Sequence, residues 1–394
     1  MLSPSRSRLL MAGPIAAVAL LTCTTGAYAH GHDHHRRQHH DPGSGFVASV
    51  FANGASLTHA NSATGASEAL SHPDDITHLG DHIFVGFQNG IGPQGEASST
   101  GNLDSTVVEF NRRGHELAQW DVAGKADGVT ADPQTDQLIV TVNEDANSSL
   151  YLIGPQPGST PVQYHYSVPL PSNGGTDAIS VYHGTVLISA SAPGTTGGSA
   201  PSAGAPAVYE VWLDSSTDTA YINGLFSDEA PALVANLDAA NHGAFESLAL
   251  TDPDSNSVVP GYAERFAGDF MLTSQGDQQQ IFYSSPWQPL QVLSLSASVD
   301  DSGWTTGHSD VAYTTDNSAD QIIEVTGPFE RGAEIAAVTP CDSNSAPSTC
   351  PGPGYPANYV GSIDPDTGAI TPLAISGPTF APQGLLILPG ASDW

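Results

Sequence analysis

Basic residues are almost absent from this sequence. Its 394 residues hold nine Lys and Arg against 41 Asp and Glu, and Lys125 is the only lysine. A surface of that charge repels nucleic-acid phosphates and anionic membranes, so nucleic acid is not an expected partner. It favours cations and keeps an exported protein in solution. Cysteine is scarce too: there are three, with no Cys-x-x-Cys, which argues against a redox site. No segment reaches the ~18 consecutive apolar residues of a membrane span. No amphipathic helix of three turns is legible, and the stretch from Ser67 to Leu70 offers at most one short turn. A Gly-x-Ser-x-Gly elbow, a His-Glu-x-x-His pair and a Gly-rich phosphate loop are all missing.

What is present begins with an export signal over residues 1–29. Arg6 and Arg8 precede an apolar run from Leu9 to Leu21, and Ala27-Tyr28-Ala29 gives a small-x-small cleavage site. Leu20-Leu21-Thr22-Cys23 offers a competing reading as a lipoprotein box, in which Cys23 carries a lipid anchor. Cleavage after Ala29 leaves Cys341 and Cys350, an even pair expected to form a disulfide that pins a short loop. The chain then opens on His30-Gly31-His32-Asp33-His34-His35, part of a histidine-rich tail and linker over residues 30–45 with nothing apolar to bury. A free amine at His30 with His32, His34 and His35 nearby has the donor set for Cu or Ni; a solvated low-complexity tail is the alternative.

From Phe46 to the C-terminus the pattern is β. Runs rich in Val, Ile, Thr and aromatics, such as Ile83–Phe87, Leu138–Val142, Val186–Ala190 and Ile322–Val325, alternate with clusters of Gly, Pro, Asn, Asp and Ser. A short phrase recurs every 50 to 75 residues: Asp74-Asp75-Ile76, Asp127-Gly128-Val129, Asp177-Ala178-Ile179, Glu246-Ser247-Leu248 and Gln383-Gly384-Leu385. A further copy falls at Asp320-Gln321-Ile322 or, in a second parse, at Asp310. The unit from Asp127 to Leu170 supplies four strands, the content of one propeller blade. Residues 46–394 therefore read as an all-β propeller. Six blades fit best, with five or seven open because residues 280–322 parse two ways. Phe46–Phe51 and Gly384–Leu388 share one blade in this reading, which closes the ring and removes exposed edges.

The phrase puts polar side chains at equivalent places, and in a closed ring those places converge. Asp74, Asp127, Asp177, Glu246, Asp320 and Gln383 are expected around one mouth of the central channel. Carboxylates so gathered either rise in pKa or recruit a cation, and oxygen donors suit Ca²⁺. The bland alternative is that they cap loop amides and line a wet channel. The loops at Gln88–Pro93, Asn143–Asp145 and Gln275–Asp277 belong to the same mouth.

Asp127-Gly128-Val129-Thr130-Ala131-Asp132, followed by Leu138-Ile139-Val140, resembles the blade signature of the SMP-30/gluconolactonase, NHL and streptogramin-lyase group of six-bladed propellers. The resemblance implies a six-bladed fold, and it casts Asp127 as a ligand of a central divalent metal. Three functions stay open. The first is a secreted or periplasmic propeller, monomeric, that binds a small molecule or protein through its mouth, with or without Ca. The second is a Ca-dependent hydrolase, lactonase or lyase. The third is Cu or Ni handling by the tail.

Overall fold

A computed structural model describes residues 45–154, 156–171, 174–193, 204–343 and 357–390. The expected signal, Cys23, Cys350 and the tail histidines His30, His32, His34 and His35 lie outside them. Among the described residues there is no α-helix, and none is long and apolar enough to cross a membrane. The expected turn near Ser67 is a short strand, Ser67–Ala69, paired with Thr58–Ala60.

The strands form an all-β propeller. Four consecutive strands, Pro73–Leu79, His82–Phe87, Asp104–Phe110 and Glu116–Ala123, make the first antiparallel group. Ala126–Asp132, Gln137–Val142, Ser149–Ile153 and Val162–Tyr166 make the second. Thr176–Tyr182, Thr185–Ala190, Pro206–Asp214 and Thr219–Ser227 make the third, whose outer strand is Thr219–Ser227 although the later apolar stretch around Leu233 could also read as a strand. That stretch, Pro231–Val234, instead extends the next group: Pro253–Val258, Phe270–Ser274, Gln279–Tyr283 and Leu290–Ser294.

The last two groups are interleaved. Val299–Trp304 starts one, and the chain then leaves it to build the hairpin Val311–Asp316 and Gln321–Thr326 in the closing group. It returns for Glu334–Val338, Tyr359–Ile363 and Ile370–Pro372, and finally crosses again to add Leu385–Leu388. Phe46–Asn53 completes the closing group by pairing antiparallel with Gln321–Thr326. The two ends of the folded chain thus share one sheet, the closure expected from the sequence.

The inner strands Pro73–Leu79, Ala126–Asp132, Thr176–Tyr182, Pro253–Val258, Val299–Trp304 and Leu385–Leu388 circle the axis. Each packs on the next, and the last packs on the first. Second strands such as His82–Phe87 are buried along almost their whole length because neighbouring sheets cover both faces, which is why they read as unbroken apolar runs. The apolar clusters lie as wedges between adjacent sheets. Phe84, Trp120, Val129, Leu138 and Tyr151 fill one, and Phe87, Phe110, Tyr313 and Ile322 fill another. The inner strands Pro253–Val258 and Val299–Trp304 line the axial cavity and are rich in Asp, Ser and Asn.

Candidate functional site: an acidic channel mouth

Every inner strand breaks its register at the same point. Between Pro73 and Ile76, Ala126 and Val129, Thr176 and Ile179, Pro253 and Asn256, and Val299 and Ser302, two residues oppose one on the second strand. Such a bulge bends the strand and re-aims its side chains. The bulged pairs are Asp74-Asp75, Asp127-Gly128, Asp177-Ala178, Asp254-Ser255 and Asp300-Asp301. The sixth strand has the equivalent arrangement. Thr315 accepts from Gln383 N through its carbonyl and donates its own N–H to Gly384 O, so one residue again faces two.

The first residue of each of the five aspartate pairs lines a central cavity of 170 Å³, along with Asp75, Asp301, Gly384 and Leu385. Asp74, Asp127 and Asp177 are therefore brought together. Gln383 precedes Gly384 at the wall, and its side-chain Oε1 is buried without a hydrogen-bond partner. Glu246 and Asp320 are not in the ring. Glu246 sits on an edge strand, Phe245–Ser247, paired with Pro231–Val234. Asp320 occupies a left-handed hairpin turn (φ +54°), and its carboxylate accepts from His72 N at 2.8 Å. Asp310, the other parse, closes a turn by accepting from Thr306 and Gly307. Their places in the ring are taken by Asp254 and Asp300.

The bulges also lock neighbouring sheets together. Thr141 Oγ1 donates to Asp177 O (2.6 Å), Ser189 Oγ to Asp254 O (3.0 Å) and Thr315 Oγ1 to Asp74 O (2.6 Å). Each hydroxyl lies opposite its own sheet's bulge and reaches the bulge of the next. Two second-position aspartates act in the same way. Asp75 accepts from Ile76 N and from Val129 N of the next sheet, and Asp301 from Ser302 N and Leu385 N. Replacing Thr141 by Val keeps the shape and leaves the Asp177 carbonyl without this donor. The expected cost is about 1–3 kcal/mol, read as a lower denaturant midpoint at unchanged m-value.

Asp127 is buried, and the other four ring aspartates, Asp74, Asp177, Asp254 and Asp300, are half-buried. Burial is the main cause of their raised pKa values, and neighbouring charges add to it. Asp74 is pushed up to about 6 by burial, with Lys125 and the Gln88 hydrogen bond pulling the other way. Burial and then Glu144 hold Asp127 well above the usual carboxylate range, and burial and then Asp127 do the same for Asp177. Burial raises Asp254 and Asp300 well above the usual carboxylate range, and their side chains are hydrogen-bonded to each other. Asp301 reaches about 7, again chiefly through burial.

One cation enters this ring. Lys125 Nζ lies 3.0 Å from Asp127 Oδ1 and pairs with Glu144 Oε1 at the rim. Gln88 Nε2 donates to the same Asp127 Oδ1 at 3.2 Å. Burial works against the ammonium, but the charges of Asp127, Glu144 and Asp74 outweigh it and hold Lys125 above its ordinary pKa. Asp127 is 3 % exposed, and its other oxygen, Oδ2, is buried with no hydrogen-bond partner. On the far side, Gln275 Nε2 reaches Asp300 Oδ1 at 3.4 Å. Oxygen donors of this kind suit a hard cation. Among the described residues, however, no group of three or more His, Cys, Asp or Glu is spaced as a formed metal centre.

Asp75, Asp254, Asp300, Asp301 and Lys125 were not picked out as site residues from sequence. The signal for Asp254 and Asp300 was there, as an acid followed by a small or acidic residue within a polar strand. The more apolar phrases at Glu246 and Asp320 outcompeted it.

No family model matches this chain, and no curated protein does. Solved structures similar to it include a periplasmic gluconolactonase, PpgL, from Pseudomonas aeruginosa, 14 % identical over 84 % of this chain and 94 % of that one, with a TM-score of 0.42. Another is AztD from Citrobacter koseri, 9 % identical over 83 % of this chain and 76 % of that one, TM-score 0.37. A third is the β-propeller domain of Cps50 (Swd1) from Myceliophteria thermophila, 12 % identical over 66 % of this chain and 84 % of that one, TM-score 0.32. These likenesses are distant and concern the fold alone.

Proposed function

We propose that the protein is an exported, six-bladed propeller that binds a hard divalent cation, calcium in class, at its acidic channel mouth, and binds its ligand there. One observation carries the reading. Asp127 is almost fully buried, lines the channel, and keeps one carboxylate oxygen unpartnered among converging aspartates. A buried anion with a free lone pair is costly unless a cation meets it. Asp127, Asp74 and Asp177 are the residues that would hold the ion. An ion there supplies positive charge to which a carboxylate, hydroxyl or carbonyl of a ligand can bind.

The export signal, the Cys341–Cys350 disulfide and Cu or Ni binding by His30, His32, His34 and His35 belong to the same reading as separate proposals. Cys341 is disulfide-bonded, which favours the pairing. A catalytic alternative draws on one feature, the hydrogen-bonded carboxyl pair Asp254 and Asp300 on the wall of the cavity. A carboxyl pair of that kind can give and take a proton in lactone hydrolysis or a lyase reaction.

The test is calorimetric titration of chelator-treated protein with CaCl₂. One ion per chain is expected, and Asp127→Asn should weaken binding by about ten-fold or more, the effect of removing one charged oxygen ligand in a partly buried site. Wild-type and Asp127→Asn curves that coincide would remove Asp127 from the site. Heat-silent wild-type titrations, with no change in melting, would sink the reading.

A further inference from the structure

Lys125 stands where a bound cation would stand. We propose that its ammonium is a tethered counter-ion, which holds Asp127 until a free divalent cation displaces it and which then withdraws to Glu144 at the rim. Lys125 thereby sets the affinity of the channel mouth. The inference rests on the cation-binding reading above and names the residue that regulates it.

The root of Lys125 is fixed and its head is shared. Its backbone N–H donates to Asn143 Oδ1 at 2.9 Å, and its carbonyl accepts from Asn143 N at 2.8 Å. Movement is thus confined to the side-chain torsions. The head already touches two carboxylates of different character. The Asp127 side chain is 2 % exposed and faces the channel, while that of Glu144 is 28 % exposed at the mouth. A divalent ion taking the free Asp127 Oδ2 meets the ammonium on the other oxygen of the same carboxylate. Like charges at that separation repel strongly in a partly buried site. Glu144 offers the ammonium a partner nearer to water, so it can leave Asp127 without becoming an unpaired buried charge.

Among the described residues no arginine or histidine lines the channel. The four arginines of the described residues lie elsewhere. Arg265 and Arg331 line a cavity beside Trp304, and Arg112 and Arg113 line one beside Tyr313. None lines the channel. Among the described residues Lys125 is the cation of the mouth: it pairs with Asp127, and its charge also acts on Asp74 and Asp177.

A single lysine makes the displacement directly observable. Lysine labelled with ¹³C at Cε gives one signal from the full-length protein. On titration with CaCl₂ after chelation, that signal is expected to move in step with calorimetric saturation. In parallel, Lys125→Met should bind Ca²⁺ about ten-fold tighter than wild type, since it removes one competing positive charge. If Ca²⁺ binds while the Cε signal stays fixed and Lys125→Met has wild-type affinity, the counter-ion proposal is overturned and the cation-binding reading survives. If neither protein binds Ca²⁺, that reading itself fails. Should Lys125→Met not fold, the Cε titration of the wild type decides alone.

Discussion

In a chelating buffer, raising the pH from about 5 to about 8 should lower the melting temperature, and excess Ca²⁺ should restore part of it. Asp74 at about 6, Asp301 at about 7 and the buried Glu334 at about 7 hold their protons more tightly when folded than at the ordinary values of 3.8 and 4.5. Glu334 belongs to a separate buried network with Gln280 and Ser302. Below pH ~4 both folded and unfolded chains are protonated, so these groups contribute nothing to the balance. Between that point and the folded values, the folded chain binds more protons than the unfolded one, and stability falls as pH rises. Above pH ~8 the penalty is complete, on the order of 1–3 kcal/mol for each such group. For a chain of this size the fall amounts to about 5–10 °C. Ca²⁺ binding to the ionised ring works in the opposite direction and recovers about 2.7 kcal/mol at a hundred times its dissociation constant. The Glu334 share should persist in Ca²⁺, because that residue lies outside the mouth. A melting temperature that is flat or rising over this pH range without Ca²⁺ would show that the ring carboxylates are already ionised at little cost.

Gly128→Ala should be the most damaging single-methyl change in the ring. A Cβ at this position falls 2.5 Å from the Asp177 carbonyl oxygen and 2.7 Å from Thr141 Oγ1. These are the two atoms of the clasp between the second and third sheets, and Gly128 N itself donates to Thr141 Oγ1 at 2.9 Å. The methyl must push the bulges apart, which breaks the clasp and moves Asp127 and Asp177 away from the axis. The expected loss is about 3 kcal/mol, from overpacking plus one stranded carbonyl. Cation affinity should fall with it. Ala131→Gly, on the same strand but beyond the bulge, should leave affinity unchanged. Gly384 meets the Asp74 carbonyl in the same way, so Gly384→Ala should reproduce the defect between the last sheet and the first. Wild-type stability in both variants would mean the bulges are loosely packed.

The parts of the fold legible in sequence were those where a strand is buried on both faces. Ile83–Phe87, Leu138–Val142 and Val186–Ala190 are strands because their continuous apolar character has no other economical packing. The sharing of one sheet by the two ends was legible for the same reason, since each end supplies an apolar strand without a unit of its own. The site was half legible. Asp127 and Asp177 precede aliphatic residues and carry an apolar second strand behind them. Asp254 and Asp300 begin strands reading Asp-Ser-Asn-Ser and Asp-Asp-Ser-Gly, whose side chains face water in the channel, so hydrophobic periodicity could not mark them. The interleaving of the last two sheets hid the rest. Val311–Asp316 has the composition of an inner strand, yet it is the second strand of its sheet, because the inner one, Leu385–Leu388, comes from the far end of the chain. Lys125 was visible as a rarity of composition, but only its distance to Asp127 gives that rarity a use.

The closing sheet draws on residues 46–53, 311–326, 375–376 and 385–388. Its first strand is therefore synthesised some 270 residues before the partner it pairs with, and the piece that seals the ring arrives last. Ring closure cannot proceed unit by unit behind the advancing chain; it waits for the final segment, and contacts of such long sequence separation form slowly. Until residues 385–388 emerge, the Asp301–Leu385 bond cannot form and the ring stays open between the inner strands Val299–Trp304 and Pro73–Leu79, although the clasps from Thr141 and Ser189 can already join the second, third and fourth sheets.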